Sequence, residues 1–260
     1  MMIATKPTAS KAATNGHGPA SSGFNLRRKT SLAAGVLYVL TFVSMPTLVL
    51  YGPVKTANYI LGAGPDTEVL FGTILEIIVA LAGIGTAVAL FPVLKRQNEG
   101  IAMALVGNRV LEAATIFVGV MCLLTVVSLR QAGAGADALV TSHTLVAMYN
   151  RIFLIGQSFL PAVDDLLLGI LLYQSRLVPR ALPILGLIGV PLLVAGDIAV
   201  LFGIVGTSQA AVTALPIALF EFSLGVWLVV KGFQPSPILS SDPQISGLTT
   251  SLVPVAVTRV

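Results

Sequence analysis

Six long apolar runs decide what this chain can fold into. They lie at about residues 32–51, 69–94, 101–129, 143–173, 181–205 and 211–230. Each is as long as the ~20 residues that a helix needs to cross hydrocarbon. Lipid offers no partner to an unpaired backbone N–H or C=O, so only helices and closed barrels span it. Barrel strands would alternate apolar and polar residues over segments of ~10. These runs are continuous and about twice that length, which predicts an all-α membrane fold, a six-span transmembrane helix bundle. Charge usage agrees, because only 10% of the chain is Asp, Glu, Lys or Arg, where a soluble domain carries about a quarter.

Breakers separate the runs: Gly52-Pro53, residues 62–65, residues 95–100, the Ala/Gly stretch after Arg130, and Pro179. Pro46, Pro161, Pro191 and Pro216 fall inside spans, where neighbouring helices can re-satisfy the freed carbonyls. Residues 1–31 are small, polar and basic, and are expected to be a disordered tail. That tail is too long, and the run behind it too extended, for a cleavable signal peptide. A transmembrane domain is expected over 32–231 and a flexible tail over 232–260.

The basic residues set the expected orientation. With the N-terminus inside, the cytoplasmic segments hold Lys6, Lys11, Arg27, Arg28, Lys29, Lys95, Arg96, Arg176, Arg180, Lys231 and Arg259. The other side holds Lys55 and Arg130. Eleven against two places both termini in the cytoplasm of a multi-pass cell-membrane protein, a bacterial inner membrane being the expected setting. The net charge of +4 is thereby explained by topology. It forms no aromatic-interleaved basic patch, which argues against nucleic acid as a partner.

Eight ionisable residues fall within the runs: Glu76, Arg109, Glu112, Arg151, Asp164, Asp165, Asp197 and Glu221. A charge near a span centre costs ~2.5–3.5 kcal/mol on insertion scales, so eight such positions mark the candidate functional core. Helix rise sorts them into two layers. The inner layer holds Arg109, Glu112, Asp164, Asp165 and Glu221, and the outer holds Glu76, Arg151 and Asp197. Arg109 and Glu112 share a helix face at i,i+3. Asp164 and Asp165 diverge by about 100°, so only one can address Arg109. Four acids against one arginine leave the inner layer negative if all ionise. One or more is therefore expected to hold a proton at neutral pH.

Other features carry less. Cys122, the single cysteine, lies in an apolar run and fits a buried structural thiol. His143 fits an interfacial position, and Tyr51, Tyr173 and Trp227 fit an aromatic belt. Gly83 and Gly85, Gly186 and Gly189, and Gly203 and Gly206 fit helix-packing surfaces. Gly196-Asp197 has no second aspartyl motif, and Ser158 has no histidine at its depth. No H-E-x-x-H motif or glycine-rich phosphate loop occurs. No catalytic, cofactor-binding or metal-ligating residue is assigned, and an enzyme is the least favoured class.

Three stretches carry a resemblance: ALFPVLKRQNEGIAMALVGNRVLEA at residues 89–113, LLYQSRLVPRALPILGLIG at 171–189, and FEFSLGVWLVVKGF at 220–233. In order and spacing they resemble the bacterial membrane-protein family catalogued as domain of unknown function 4386. The Arg-x-x-Glu of the third span and the Phe-Glu…Trp-Leu…Lys-Gly-Phe ending are the most specific parts. The resemblance covers roughly 28–233 and implies the topology without an activity. Beside an integral membrane protein of unassigned chemistry, two readings stand. One is a proton- or cation-coupled carrier of a small solute, and the other a membrane scaffold or sensor.

Overall fold

The computed structural model describes residues 19–62 and 65–240. Seven long helices build it among the described residues: α1 (Pro19–Thr41), α2 (Thr67–Leu94), α3 (Glu99–Gln131), α4 (Leu139–Leu154), α5 (Leu160–Ser175), α6 (Ala181–Leu201) and α7 (Leu215–Val230). A π-helical turn, Ile155–Phe159, joins α4 to α5 without a break, so the two form one crossing. Six helical stretches are long and apolar enough to span a membrane, among them Arg27–Leu50, Gly135–Ser175 and Thr207–Val230. Large apolar side chains point outward from every one, as at Leu48, Ile74, Met121, Ile155, Ile188 and Leu219. Water would not tolerate so continuous an apolar surface, whereas lipid requires it.

Neighbours in sequence are neighbours in space, and α7 packs back on α1 to close the ring. That closure depends on Gly35 and Gly225. A Cβ on Gly35 would lie 2.8 Å from the Gly225 carbonyl oxygen and from the Val229 nitrogen. Both contacts are backbone atoms that cannot rotate away, so the two helices meet as closely as small residues permit. A second close approach seats Phe220 against Gly186, where a Cβ would meet the ring at 2.6 Å. Apolar residues fill the half of the ring near the chain ends, including Ala34, Leu90, Leu94, Leu105, Leu168 and Leu224.

Local chemistry explains the element ends. The Asn98 side chain accepts from the Ile101 N–H at 3.0 Å and starts α3. Arg176 takes a left-handed conformation, φ 56°, at the end of α5. Its N–H bonds the Leu172 carbonyl while Leu177 and Val178 bury behind it. Gly203, at φ 69°, turns the chain after α6 and ends the fifth span at Leu201. The expected extension to 205, with Gly203 and Gly206 on a packing surface, is thus corrected, since these glycines serve the turn.

The terminal boundaries also differ from expectation. Residues 1–18 and 241–260, most of the two expected tails, lie outside the described residues. Helix α1, however, is already formed at Pro19, the first described residue and well before the expected start at 32. Arg27, Arg28 and Ser31 fasten it to the other end of the chain. Arg28 donates to the Leu228 and Val229 carbonyls at 3.1 and 2.6 Å, and Ser31 to Leu228 at 2.7 Å. These are the orphan carbonyls at the C-terminus of α7. Residues 232–239 are likewise packed: Leu239 is buried, Gln234 N–H bonds the Leu177 carbonyl at 2.7 Å, and Arg27 bonds the Leu239 carbonyl. The end of the bundle that carries these contacts also carries Lys95, Arg96, Arg180 and Lys231, and is called the basic end below.

At the far end, residues 51–62 fold down over the bundle instead of leaving it. Tyr51, Val54, Tyr59 and Ile60 are buried against α2, α3 and α4. Tyr51, expected in an interfacial belt, is only 1% exposed because Gly72 leaves room for its ring. Asp66 latches this segment. It accepts from Tyr59 at 2.5 Å, Arg130 at 3.0 Å and Gln131 at 3.0 Å. The Arg130 guanidinium also bonds the Gly62 carbonyl and lies 4.2 Å over the Tyr59 ring. His143 contacts the Ala57 carbonyl at 2.8 Å. Burial works against the Asp66 carboxylate, yet the hydrogen bonds and Arg130 charge hold it below the ordinary aspartate range. Burial and the bond to Asp66 push the Tyr59 phenol up to about 12.

Candidate functional site

Arg109 is the hub of the ring's interior. Helix α3 carries it one turn before Glu112, and the pair closes at 2.9 Å. Its Nε lies 3.3 Å from Asp164 Oδ2 on α5, and its Nη2 lies 3.2 Å from Glu221 Oε1 on α7. The Asp164 approach is an ion pair by distance that lacks hydrogen-bond geometry, and both partner atoms remain without a hydrogen bond. Tyr38 of α1, almost fully buried, sets its ring 5.9 Å from the guanidinium carbon. Gly83 of α2 faces the Arg109–Glu112 pair, within 4.0 Å of both side chains had it a Cβ. Asn108, beside Arg109, donates to the Leu160 carbonyl at 2.9 Å and ties α3 to the first turn of α5.

Asp165 completes the group without joining the pairing. It is 0% exposed, and neither carboxyl oxygen has a hydrogen-bond partner among the described residues. The sequence spacing allowed only one of the two aspartates to address Arg109 without saying which, and Asp164 is the one that does. Glu112 and Asp164 share the Arg109 guanidinium, the first at its Nη1 and the second at its Nε. All five residues expected in the inner layer are therefore brought together, four acids around one base.

The outer layer divides. Glu76 of α2 accepts from the Tyr149 hydroxyl at 2.9 Å and from Gln157 at 3.4 Å, while its Oε2 has no hydrogen bond among the described residues. Tyr51 stacks edge-on to Tyr149 at 5.6 Å, and its buried hydroxyl has no hydrogen bond among the described residues. Lys55 places its ammonium 4.7 Å over the Tyr149 ring. Burial lowers the affinity of Lys55 for its proton, and the Glu76 charge partly restores it. Asp197 of α6 forms a separate contact, accepting from Ser158 at 2.6 Å. Consecutive residues of the π turn, Gln157 and Ser158, thus address acids on opposite sides of the ring. A π turn adds a residue to the helix and commonly marks a working position.

Arg151 does not belong to this layer. It is exposed and makes no ion pair with Glu76 or Asp197. The fourth crossing is longer at its far end than the apolar run suggested, beginning at Gly135. Counted from Ser175, Arg151 lies about 36 Å along the helix, beyond a hydrocarbon layer of ~30 Å. There a guanidinium reaches water.

Tyr38, Asn108, Tyr149, Gln157 and Lys55 were not expected at the site. Neutral polar residues in a span cost little and carry no periodic signal, and Lys55 read only as a loop charge. A faint signal existed in Gln157-Ser158, two polar residues in the middle of an apolar run.

A six-span ring with a carboxylate-rich interior defines a polytopic helical membrane protein. The family described as domain of unknown function (DUF4386) matches residues 33–232, and the chain belongs to it. No curated protein and no solved structure matches the chain.

Proposed function

We propose that this chain is a proton-linked carrier of a small solute across the cell membrane, working through Arg109, Glu112, Asp164, Asp165 and Glu221. The observation that supports this reading is Asp165, an acid with no exposure and no hydrogen bond, set in a group where acids already outnumber the base. A scaffold gains nothing from such a group. Burying an unpaired carboxyl costs free energy that an apolar residue would spare. A carrier gains a site that is neutral when protonated and that attracts a cation or proton when ionised. The bound proton would alter the balance around Arg109, and with it the attachment of α5 and α7 to α3.

In this reading both termini lie in the cytoplasm, which the bias of Lys and Arg toward the basic end supports. Glu76 and Asp197 lie toward the far side, and the π turn between them leads down α5 to Asp164 and Asp165. The test is flux in liposomes loaded with a pH-sensitive dye, screened over candidate solutes. Solute-dependent proton movement by the wild type, lost in Glu112→Gln and Asp164→Asn, is the expected result. Solute flux that is unchanged in both variants would remove the proposal.

A second reading has its own support. Arg109 links α3 to α5 and α7 through two ion pairs, beside the one it makes within α3, and these would also serve a purely structural clamp.

A further inference from the structure

The Glu76 group at the far end is a different site from the Arg109 group, and its chemistry is more specific. Its anion is prepared on one side only: Oε1 accepts two hydrogen bonds, while Oε2, buried, has none. Its wall is aromatic, built from Tyr149 and from Tyr51, whose rings meet at 87°. Both rings are about 1% exposed. A carboxylate beside aromatic faces is the arrangement that recognises an alkylammonium ion, through charge and through the ring quadrupole. An ammonium group is already there, since Lys55 holds its Nζ over the Tyr149 ring. Lys55 itself is exposed and sits on the segment that covers the far end, so its ammonium stands between the buried Glu76, Tyr51 and Tyr149 and that end of the bundle.

We propose that Glu76, Tyr51, Tyr149 and Gln157 form a binding site for a small alkylammonium cation entering from the far side, with Lys55 as a tethered, displaceable occupant. The binding cation would take the place of the Lys55 ammonium over Tyr149 and supply the missing partner of Glu76 Oε2. Gln157 fixes Glu76 from the π turn, and so couples the site to the crossing that carries Asp164 and Asp165. The inference goes beyond the carrier reading and does not need it, because a chain that binds but moves nothing would still have the site.

Methylammonium chloride titrated calorimetrically into the full chain in detergent micelles, at constant ionic strength, tests it. A tethered competitor acts at an effective concentration of millimolar order, so Lys55→Ala is expected to bind about tenfold more tightly than the wild type or better. Lys55→Gln, which keeps a polar side chain of similar reach, provides the same comparison if the alanine variant folds poorly. Adding Glu76→Gln to either is expected to abolish binding. Lys55 variants that bind no more tightly, binding that survives Glu76→Gln, or sodium binding as well as methylammonium would each overturn the site. Flux lost with methylammonium binding intact would remove the carrier reading alone. Binding absent with proton-linked flux intact would remove this site alone.

Discussion

Arg109 is the residue on which the interior depends, and its replacement separates a clamp from a carrier. Arg109→Leu strips Glu112, Asp164 and Glu221 of their common counter-charge. Breaking a buried pair of this kind costs about 3–5 kcal/mol, so the folded, monodisperse yield in detergent should drop sharply. Adding Glu221→Gln should recover part of that yield, because one orphaned charge is removed. No recovery with Glu221→Gln, Asp164→Asn or Glu112→Gln would mean that the ion pairs do not carry the structural cost. The buried acids themselves were legible in the sequence, because an ionisable residue inside an apolar run is conspicuous. Their partners were not. Tyr38 and Tyr149 look like any span aromatics until the fold turns them inward. Arg151 was misplaced because depth was counted from a run that begins at residue 143, eight residues after the crossing that the structure shows begins at Gly135.

The element that most departs from an ordinary loop is the 51–62 segment, closed by Asp66 and Arg130. Its hold on the bundle should depend on acid. The folded Asp66 carboxyl lies below its ordinary value of 3.8, so its contribution is complete above that value and fades as pH falls below it. The protection of the amides over residues 54–61, taken against the intrinsic exchange rate at each pH, should therefore fall at acid pH, and Asp66→Asn should show the weakened protection at neutral pH. Exchange in Asp66→Asn as slow as in the wild type would show that the apolar contacts of Val54, Tyr59 and Ile60 suffice. Most span ends lie within a few residues of the apolar runs, the start of the fourth crossing excepted, since hydrocarbon thickness fixes the length of an apolar run. The start of α1 and the packed residues 232–239 were not legible in the sequence, because capping carbonyls and burying one leucine leave no periodic pattern.

At the scale of the molecule the ring has two unlike ends, and the proposed orientation assigns each to a side. In bacterial cells expressing the chain, an impermeant maleimide should label Asn58→Cys directly and Glu99→Cys only after permeabilisation. The native Cys122 is buried and should stay silent in both. The reverse pattern would invert the bundle and the proton path with it. In the proposed function the interior around Arg109 holds an exchangeable proton. Infrared spectroscopy of the protein in lipid reads it most directly, through the C=O stretch that only a protonated carboxyl shows. At neutral pH the wild type should show that band, and Asp165→Asn should lose intensity from it while keeping its fold. A wild-type spectrum with every carboxyl ionised, or an Asp165→Asn spectrum with the band undiminished, would contradict the assignment of that proton to the unpaired acid.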